Sequence, residues 1–139
     1  MEKLSYICSI YVLVLGIALV LFSIIECVIP RMIMTIWDKW IGSPLFFLHG
    51  FLLAVGGLPL TFFRDSISGK IMMAVGIFVI LTGAFIIIYP DRIRKYFRLT
   101  ESEVQEEDRK GLAYIDAVVH AFSGILFIWV ISHYRNFPF

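Results

Sequence analysis

The chain has 139 residues, of which 60% are hydrophobic and 17% are charged, whereas soluble domains average roughly 45–50% and about 25%. The formal net charge is +1 and there are only 2 cysteines, which excludes a basic nucleic-acid-binding surface and a disulfide scaffold. The apolar residues are concentrated in long uncharged runs, which is typical of an integral membrane protein.

The first uncharged run covers 4–25 and predicts a membrane span over about 4–29. It exceeds the roughly 7–15 apolar residues of a signal peptide and lacks both a basic flank and a small-residue cleavage site. Pro30 ends the span, because proline cannot continue the helical hydrogen-bond ladder. We therefore interpret the segment as part of the mature protein.

The segment after Pro30 predicts an amphipathic helix over about 31–41. Its apolar residues recur at helical spacing with Arg and Lys between them, which is typical of a helix lying in the plane of the membrane interface. These apolar residues are Ile33, Ile36, Trp37, Trp40 and Ile41.

The second and third spans are predicted over about 43–63 and 71–89. Gly56, Gly57 and Pro59 could break the second span, but the matching positions of the fourth span carry no such residues. Small residues recur along both spans, which favours close helix packing in lipid. They are Gly50, Ala54 and Gly57 in the second span and Gly76 and Gly83 in the third.

A second amphipathic helix is predicted over about 91–99, after Pro90. Thr100 and Glu103 form a capping-box pattern that predicts a separate polar helix over about 101–110, before a fourth span over about 111–134. Basic residues of the amphipathic segment are expected to bind anionic lipid headgroups. They are Arg92, Arg94, Lys95 and Arg98.

The spacing of these elements predicts an internal duplication. An offset of 60 pairs Gly16 with Gly76 and Pro30 with Pro90, and when 101–111 are skipped the offset becomes 71 and pairs His49 with His120. The predicted repeats are 1–66 and 67–139, each a span, an interfacial helix and a span, related by a pseudo-twofold axis along the membrane normal. The alternative is that any span ended by proline and an amphipathic turn shows this pattern.

The predicted architecture is therefore a single all-α membrane domain, 1–139, with four transmembrane helices. Loops one and three carry more Lys and Arg than the other segments, which places these loops in the cytoplasm and both termini outside it. A bacterial or archaeal cytoplasmic (inner) membrane is the expected location. The basic residues of the two loops are Arg31, Lys39, Arg92, Arg94, Lys95, Arg98, Arg109 and Lys110.

Four ionisable residues inside the spans are candidate site residues: Glu26, His49, Asp116 and His120. All four lie toward the predicted cytoplasmic ends, and Asp116 and His120 share a helix face. Under the duplication, His49 and His120 are candidate ligands of a b-type haem or a quinone, with Asp116 orienting the His120 ring. Glu26 and Asp116 are alternatively candidates for a proton pathway, or all four make structural contacts. The sequence predicts no metal site.

No catalytic motif occurs and the loops are too short for a soluble catalytic domain, so we do not expect an enzyme. The expected function is a small non-catalytic membrane subunit that packs against, stabilises or assembles a larger membrane protein complex. The alternatives are an electron-transfer or quinone-site subunit and a small proton or solute pathway protein. The first hypothesis needs no cofactor, and its expected partners are the lipid bilayer and larger membrane subunits.

Overall fold

A computed structural model of the chain describes residues 2–63, 66–103 and 106–133, with side chains at 6–63, 66–97 and 110–133. Helices account for nearly all of these positions. Four segments are long and apolar enough to cross a membrane, which confirms the predicted all-helical, four-span architecture. The helices are α1 (Glu2–Val28), α2 (Pro30–Gly42), α3 (Phe47–Gly57), α4 (Ile67–Ile88), α5 (Pro90–Glu103) and α6 (Glu106–His133).

Two prolines end the first and third spans in the same way. Ile29 has φ −130° and ψ 53°, and Tyr89 has φ −126° and ψ 49°. Each residue precedes a proline, whose ring disfavours the helical conformation of its predecessor. The chain therefore leaves α1 and α4 through equivalent kinks and enters the amphipathic helices α2 and α5.

The second span is divided into three pieces. A 3₁₀ turn over Pro44–Phe46 precedes α3, and a second 3₁₀ turn over Leu58–Phe62 follows it. The predicted break is confirmed, since α3 ends at Gly57 and Pro59 lies in the turn that follows. By contrast, α6 is a continuous helix over Glu106–His133.

The structure divides the segment 101–110, for which a polar helix is predicted, between two helices. Helix α5 continues through Thr100 and ends at Glu103, and α6 already begins at Glu106, while 104–105 lie outside the described residues. The sequence between Pro90 and Gly111 contains neither glycine nor proline. Without a breaker, the helix started by Pro90 runs past the capping-box residues.

The four spans associate as two antiparallel pairs, α1 with α6 and α3 with α4. A Cβ atom on Gly124 would lie 2.6 Å from the carbonyl oxygen of Gly16, and one on Gly57 would lie 2.9 Å from that of Gly76. The backbones thus touch where side chains are absent, which is how membrane helices commonly pack. The predicted role of the small residues of the second and third spans is confirmed.

The two pairs meet at the end of the molecule where α1 begins. Tyr11 donates a hydrogen bond of 3.0 Å to the carbonyl oxygen of Gly56 there. At the opposite end, the Arg94 guanidinium of α5 donates to the carbonyl oxygen of Ser43, and α2 packs on α6. The buried core between the pairs consists of Cys8, Val12, Leu60, Phe63, Met72, Phe127, Val130 and Ile131.

The two pairs bury corresponding positions. In α4 the buried residues Gly69, Met72, Gly76, Gly83 and Ile86 lie 60 positions after the buried residues Ser9, Val12, Gly16, Ser23 and Glu26 of α1. In the second and fourth spans, Phe46, Gly50, Gly57, Leu60 and Phe63 lie 67 positions before Ala113, Ala117, Gly124, Phe127 and Val130.

The buried positions of the second and fourth spans match at an offset of 67, whereas the predicted duplication uses an offset of 71. With 71, Gly50 would match Ala121 and Gly57 would match Ile128, and neither of the latter is fully buried. With 67, the contact between Gly16 and Gly124 corresponds to the contact between Gly76 and Gly57. At the offset of 67, His49 aligns with Asp116, and Leu53 aligns with His120.

Candidate functional site

A polar cluster lies inside the α1–α6 pair, formed by Glu26, Asp116 and His120, and is called here the Glu26 cluster. Glu26 is near the end of α1, and the antiparallel packing brings it opposite the middle of α6. Asp116 and His120 are four residues apart, so they project from the same face of α6. Two helices distant in sequence therefore build one site.

The three side chains lie close together, and Glu26 and His120 are within hydrogen-bond distance. Glu26 Oε2 lies 2.9 Å from His120 Nδ1, and Asp116 Oδ1 lies 3.9 Å from the same nitrogen. The Glu26 side chain is 0% exposed, whereas that of His120 is 24% and that of Asp116 is 42% exposed. Among the described residues, no hydrogen-bond partner reaches Glu26 Oε1. The cluster is thus buried at Glu26. Its open side, where the side chains are partly exposed, is formed by Asp116 and His120.

The surroundings of the cluster are apolar. The Phe22 ring meets the His120 ring edge-on, with centroids 5.5 Å apart, and Ala113 and Ala117 of α6 are buried beside it. Asp116 lies six residues beyond Lys110, the start of the fourth apolar segment, which is about 9 Å along the helix. The cluster is therefore inside a span, where ionisable groups are uncommon and typically functional.

His49 has different neighbours. Its ring stacks on Phe46, with centroids 5.9 Å apart, and meets Trp37 edge-on at 5.2 Å. The structure thus brings together three of the four predicted site residues and leaves His49 in the α3–α4 pair. No described contact joins His49 to His120, and the haem or quinone hypothesis stays a prediction.

The nearest partner of His120 is Glu26 rather than Asp116. Sequence reasoning places Asp116 next to His120 from their spacing and names Glu26 as a candidate, but it does not pair His120 with Glu26, which is 94 residues away. The sequence offers one signal for this contact, the depth of the residues in the membrane, since Glu26 and His120 both lie toward the same end of their spans. Depth alone does not identify which spans are neighbours, so the pairing of α1 with α6 was needed to find the contact.

The α3–α4 pair fills the corresponding positions differently. Ile86 corresponds to Glu26, and its side chain packs directly on Gly50. His49 and Leu53 correspond to Asp116 and His120. The same backbone packing is therefore achieved with an aliphatic side chain, so the carboxylate of Glu26 is not a requirement of the helix pair.

The basic residues of α5 do not all face solvent or headgroups. Arg94 pairs with Asp91 at 3.1 Å and also donates to Ser43, so it fastens α5 to the second span. The Arg92 guanidinium lies over the Tyr89 ring, 5.3 Å from its centroid, and Lys95 is exposed. The side chain of Arg98 is outside the described part of the chain. Arg92 and Lys95 remain the residues best placed for a headgroup.

The Glu26 cluster offers one imidazole nitrogen and two carboxylates whose potential ligand atoms all lie within 4.8 Å of one another. Such a set can share protons or bind a cation. No protein-family model, curated protein or solved structure matches the chain.

Proposed function

We propose that the chain is a small, non-catalytic integral membrane subunit that packs against a larger membrane protein complex and stabilises or assembles it. The observation that supports this most is the open side of the Glu26 cluster, where Asp116 is 42% and His120 is 24% exposed within a span. Ionisable side chains in a span nearly always face protein or water rather than hydrocarbon. A partner subunit with polar groups would cover that side.

Internal duplication is the second element of the proposal. The matching burial at offsets of 60 and 67 and the equivalent kinks at Ile29 and Tyr89 support two repeats of span, amphipathic helix and span. A pseudo-twofold axis along the membrane normal would exchange the α1–α6 pair with the α4–α3 pair. Under this proposal the α3–α4 pair packs through an aliphatic side chain at the position where the α1–α6 pair has the carboxylate of the Glu26 cluster.

The orientation in the membrane follows from the charges. We propose that α2 and α5 lie at the cytoplasmic face of a bacterial or archaeal inner membrane and that both termini lie outside. The excess of Lys and Arg in the segments that contain α2 and α5 supports this orientation. Arg92 and Lys95 would then face the anionic headgroups of the cytoplasmic leaflet.

Site-specific photo-crosslinking in native membranes tests the proposed subunit contact. Val119 is exposed and lies three residues after Asp116 on the same side of α6, while Phe78 is exposed on α4 of the other pair. A photoreactive residue at position 119 is expected to give one discrete protein adduct, and one at position 78 is expected to give none.

The dependence of this adduct on the cluster decides between a specific contact and chance proximity. Asp116→Leu is expected to abolish the adduct formed at position 119 while the protein level stays unchanged. An adduct that persists in Asp116→Leu, an equal adduct at position 78, or no protein adduct at position 119 would each contradict the proposal.

A further inference from the structure

We infer that the Glu26 cluster binds one divalent transition-metal cation of the zinc type. This inference goes beyond the proposed subunit role and does not require a partner, because the ligands come from α1 and α6 alone. Imidazole nitrogen and carboxylate oxygen are ligands that Zn²⁺ and neighbouring first-row ions accept together.

The spacing of the three ligands suits a shared ion. Ligand atoms bound to Zn²⁺ at roughly 2.0–2.2 Å in a tetrahedral site lie about 3.4 Å from one another. The Glu26–His120 and Asp116–His120 contacts are 2.9 Å and 3.9 Å, on either side of that value, and all three atoms lie within 4.8 Å. Each of these two separations differs by about 0.5 Å from the separation in a tetrahedral site.

A second, independent observation is the unpartnered oxygen of Glu26. The side chain is 0% exposed, yet Oε1 has no hydrogen-bond partner among the described residues. A buried carboxylate oxygen without a partner is costly, and buried charges are generally paired or bound to a metal. When ionised, Glu26 and Asp116 carry two negative charges, which one divalent cation balances.

The open side of the cluster provides the route and the remaining coordination position. Asp116 and His120 are partly exposed, so an ion can reach the cluster without unfolding the α1–α6 pair wherever this side faces water or a polar partner instead of hydrocarbon. Three protein ligands with one open position form an incomplete tetrahedral set, which water or an external group completes. The α3–α4 pair has no equivalent set, because Ile86 and Leu53 occupy the positions of Glu26 and His120.

Metal titration of the purified full-length chain in detergent tests this inference. After removal of metals with a chelator, Co²⁺ is titrated and its visible absorption bands are recorded, and Zn²⁺ binding is measured by calorimetry. We expect one saturable site per chain, with Zn²⁺ displacing Co²⁺. Glu26→Ile, Asp116→Asn and His120→Asn are expected to weaken binding by about tenfold or more.

His49→Asn and His133→Asn are the matched controls, because both histidines lie outside the cluster. They are expected to keep the wild-type affinity. Circular dichroism and melting temperature report whether each variant folds. If Glu26→Ile does not fold, the metal affinity of Asp116→Asn tests the inference instead, because Asp116 is partly exposed. The absence of a saturable site, or a site unaffected by Asp116→Asn and His120→Asn, would overturn the inference and leave proton sharing as the chemistry of the cluster. The photo-crosslinking result is independent of this outcome.

Discussion

Glu26 and Ile86 occupy corresponding positions in the two helix pairs, although one is an acid and the other a hydrocarbon. Ile86 packs against a glycine of the facing helix, whereas Glu26 bonds to His120 and leaves one oxygen without a partner. A buried carboxylate oxygen without a hydrogen-bond partner destabilises the fold, so packing alone does not account for an acid at this position. At the residue scale, the chemistry of the chain is therefore concentrated at Glu26 and the two α6 side chains beside it.

The stability of Glu26 variants tests whether the acid is needed for packing. Glu26→Ile is expected to leave the free energy of unfolding within about 1 kcal/mol of the wild type or to raise it, because His120 and Asp116 are partly exposed and lie 3.9 Å apart, so removing the acid leaves neither of them buried without a partner. Glu26→Ala should be less stable than Glu26→Ile by about 2 kcal/mol or more, since it leaves a cavity. Thermal unfolding in detergent measures both, and equal destabilisation by the two changes would show that the carboxylate holds the pair together.

The visible absorption spectrum tests the haem alternative. His49 and His120 have separate partners in different helix pairs, so we expect purified protein to show no Soret band. The measurement is an absorption spectrum of protein prepared from haem-replete cells. A Soret band that disappears in both His49→Ala and His120→Ala would instead establish the haem hypothesis.

At the scale of the helices, close backbone contact defines each pair. A Cβ atom at position 124 would approach the carbonyl oxygen of Gly16 to 2.6 Å, and the α1–α6 backbones would have to separate to admit it. Dispersion contacts between closely approaching helices are a main source of stability in lipid, where the hydrophobic effect is weak. The glycines at these contacts therefore allow the paired backbones to approach closely.

Alanine substitutions at two glycines of the same helix test this role. Gly124→Ala is expected to destabilise the protein by about 1–3 kcal/mol, as overpacking typically does. Gly111→Ala is the control, because a Cβ atom there meets nothing within 4 Å, and the change should be neutral or slightly stabilising. Thermal unfolding in detergent provides the comparison. A Gly124→Ala protein as stable as the control would contradict the proposed packing.

Much of the element structure was predictable from the sequence, because proline and long apolar runs act locally. The helix ends before Pro30 and Pro90 and the break near Pro59 all occur where the sequence predicts them. The capping-box residues at Thr100 lie within α5, which continues to Glu103 because no glycine or proline ends it. The offset of 71 follows the identity of His49 and His120, whereas burial follows the small residues that allow the backbones to touch.

At the scale of the whole molecule, the pairing of α1 with α6 and of α3 with α4 is the feature that creates the site. This pairing was not predictable, because every span offers an apolar surface and small residues to every other span. Without it, Glu26 is one acid among four ionisable residues at similar depth. With it, Glu26, Asp116 and His120 form one cluster and His49 does not belong to it.

The orientation of the chain is a prediction at the same scale. A reporter fused after Phe139 is expected to lie outside the cytoplasm, because the basic segments near α2 and α5 are retained inside. Paired reporters, one active only in the cytoplasm and one only outside it, measure this directly. A fusion active only in the cytoplasmic assay would reverse the proposed orientation and place α2 and α5 at the outer face.

The central claim is that the Glu26 cluster serves a contact with a larger complex rather than the packing of the chain. A triple variant with Glu26→Ile, Asp116→His and His120→Leu gives the α1–α6 pair the residues found at the same positions of the α3–α4 pair, Ile86, His49 and Leu53. The decisive measurement is the size of the species that contains the chain, on native gels of gently solubilised membranes. We expect the wild type in a larger complex and the triple variant, inserted and folded to the same level, as the free chain. A triple variant that stays in a complex of wild-type size, or a wild type that migrates as the free chain, would contradict the claim.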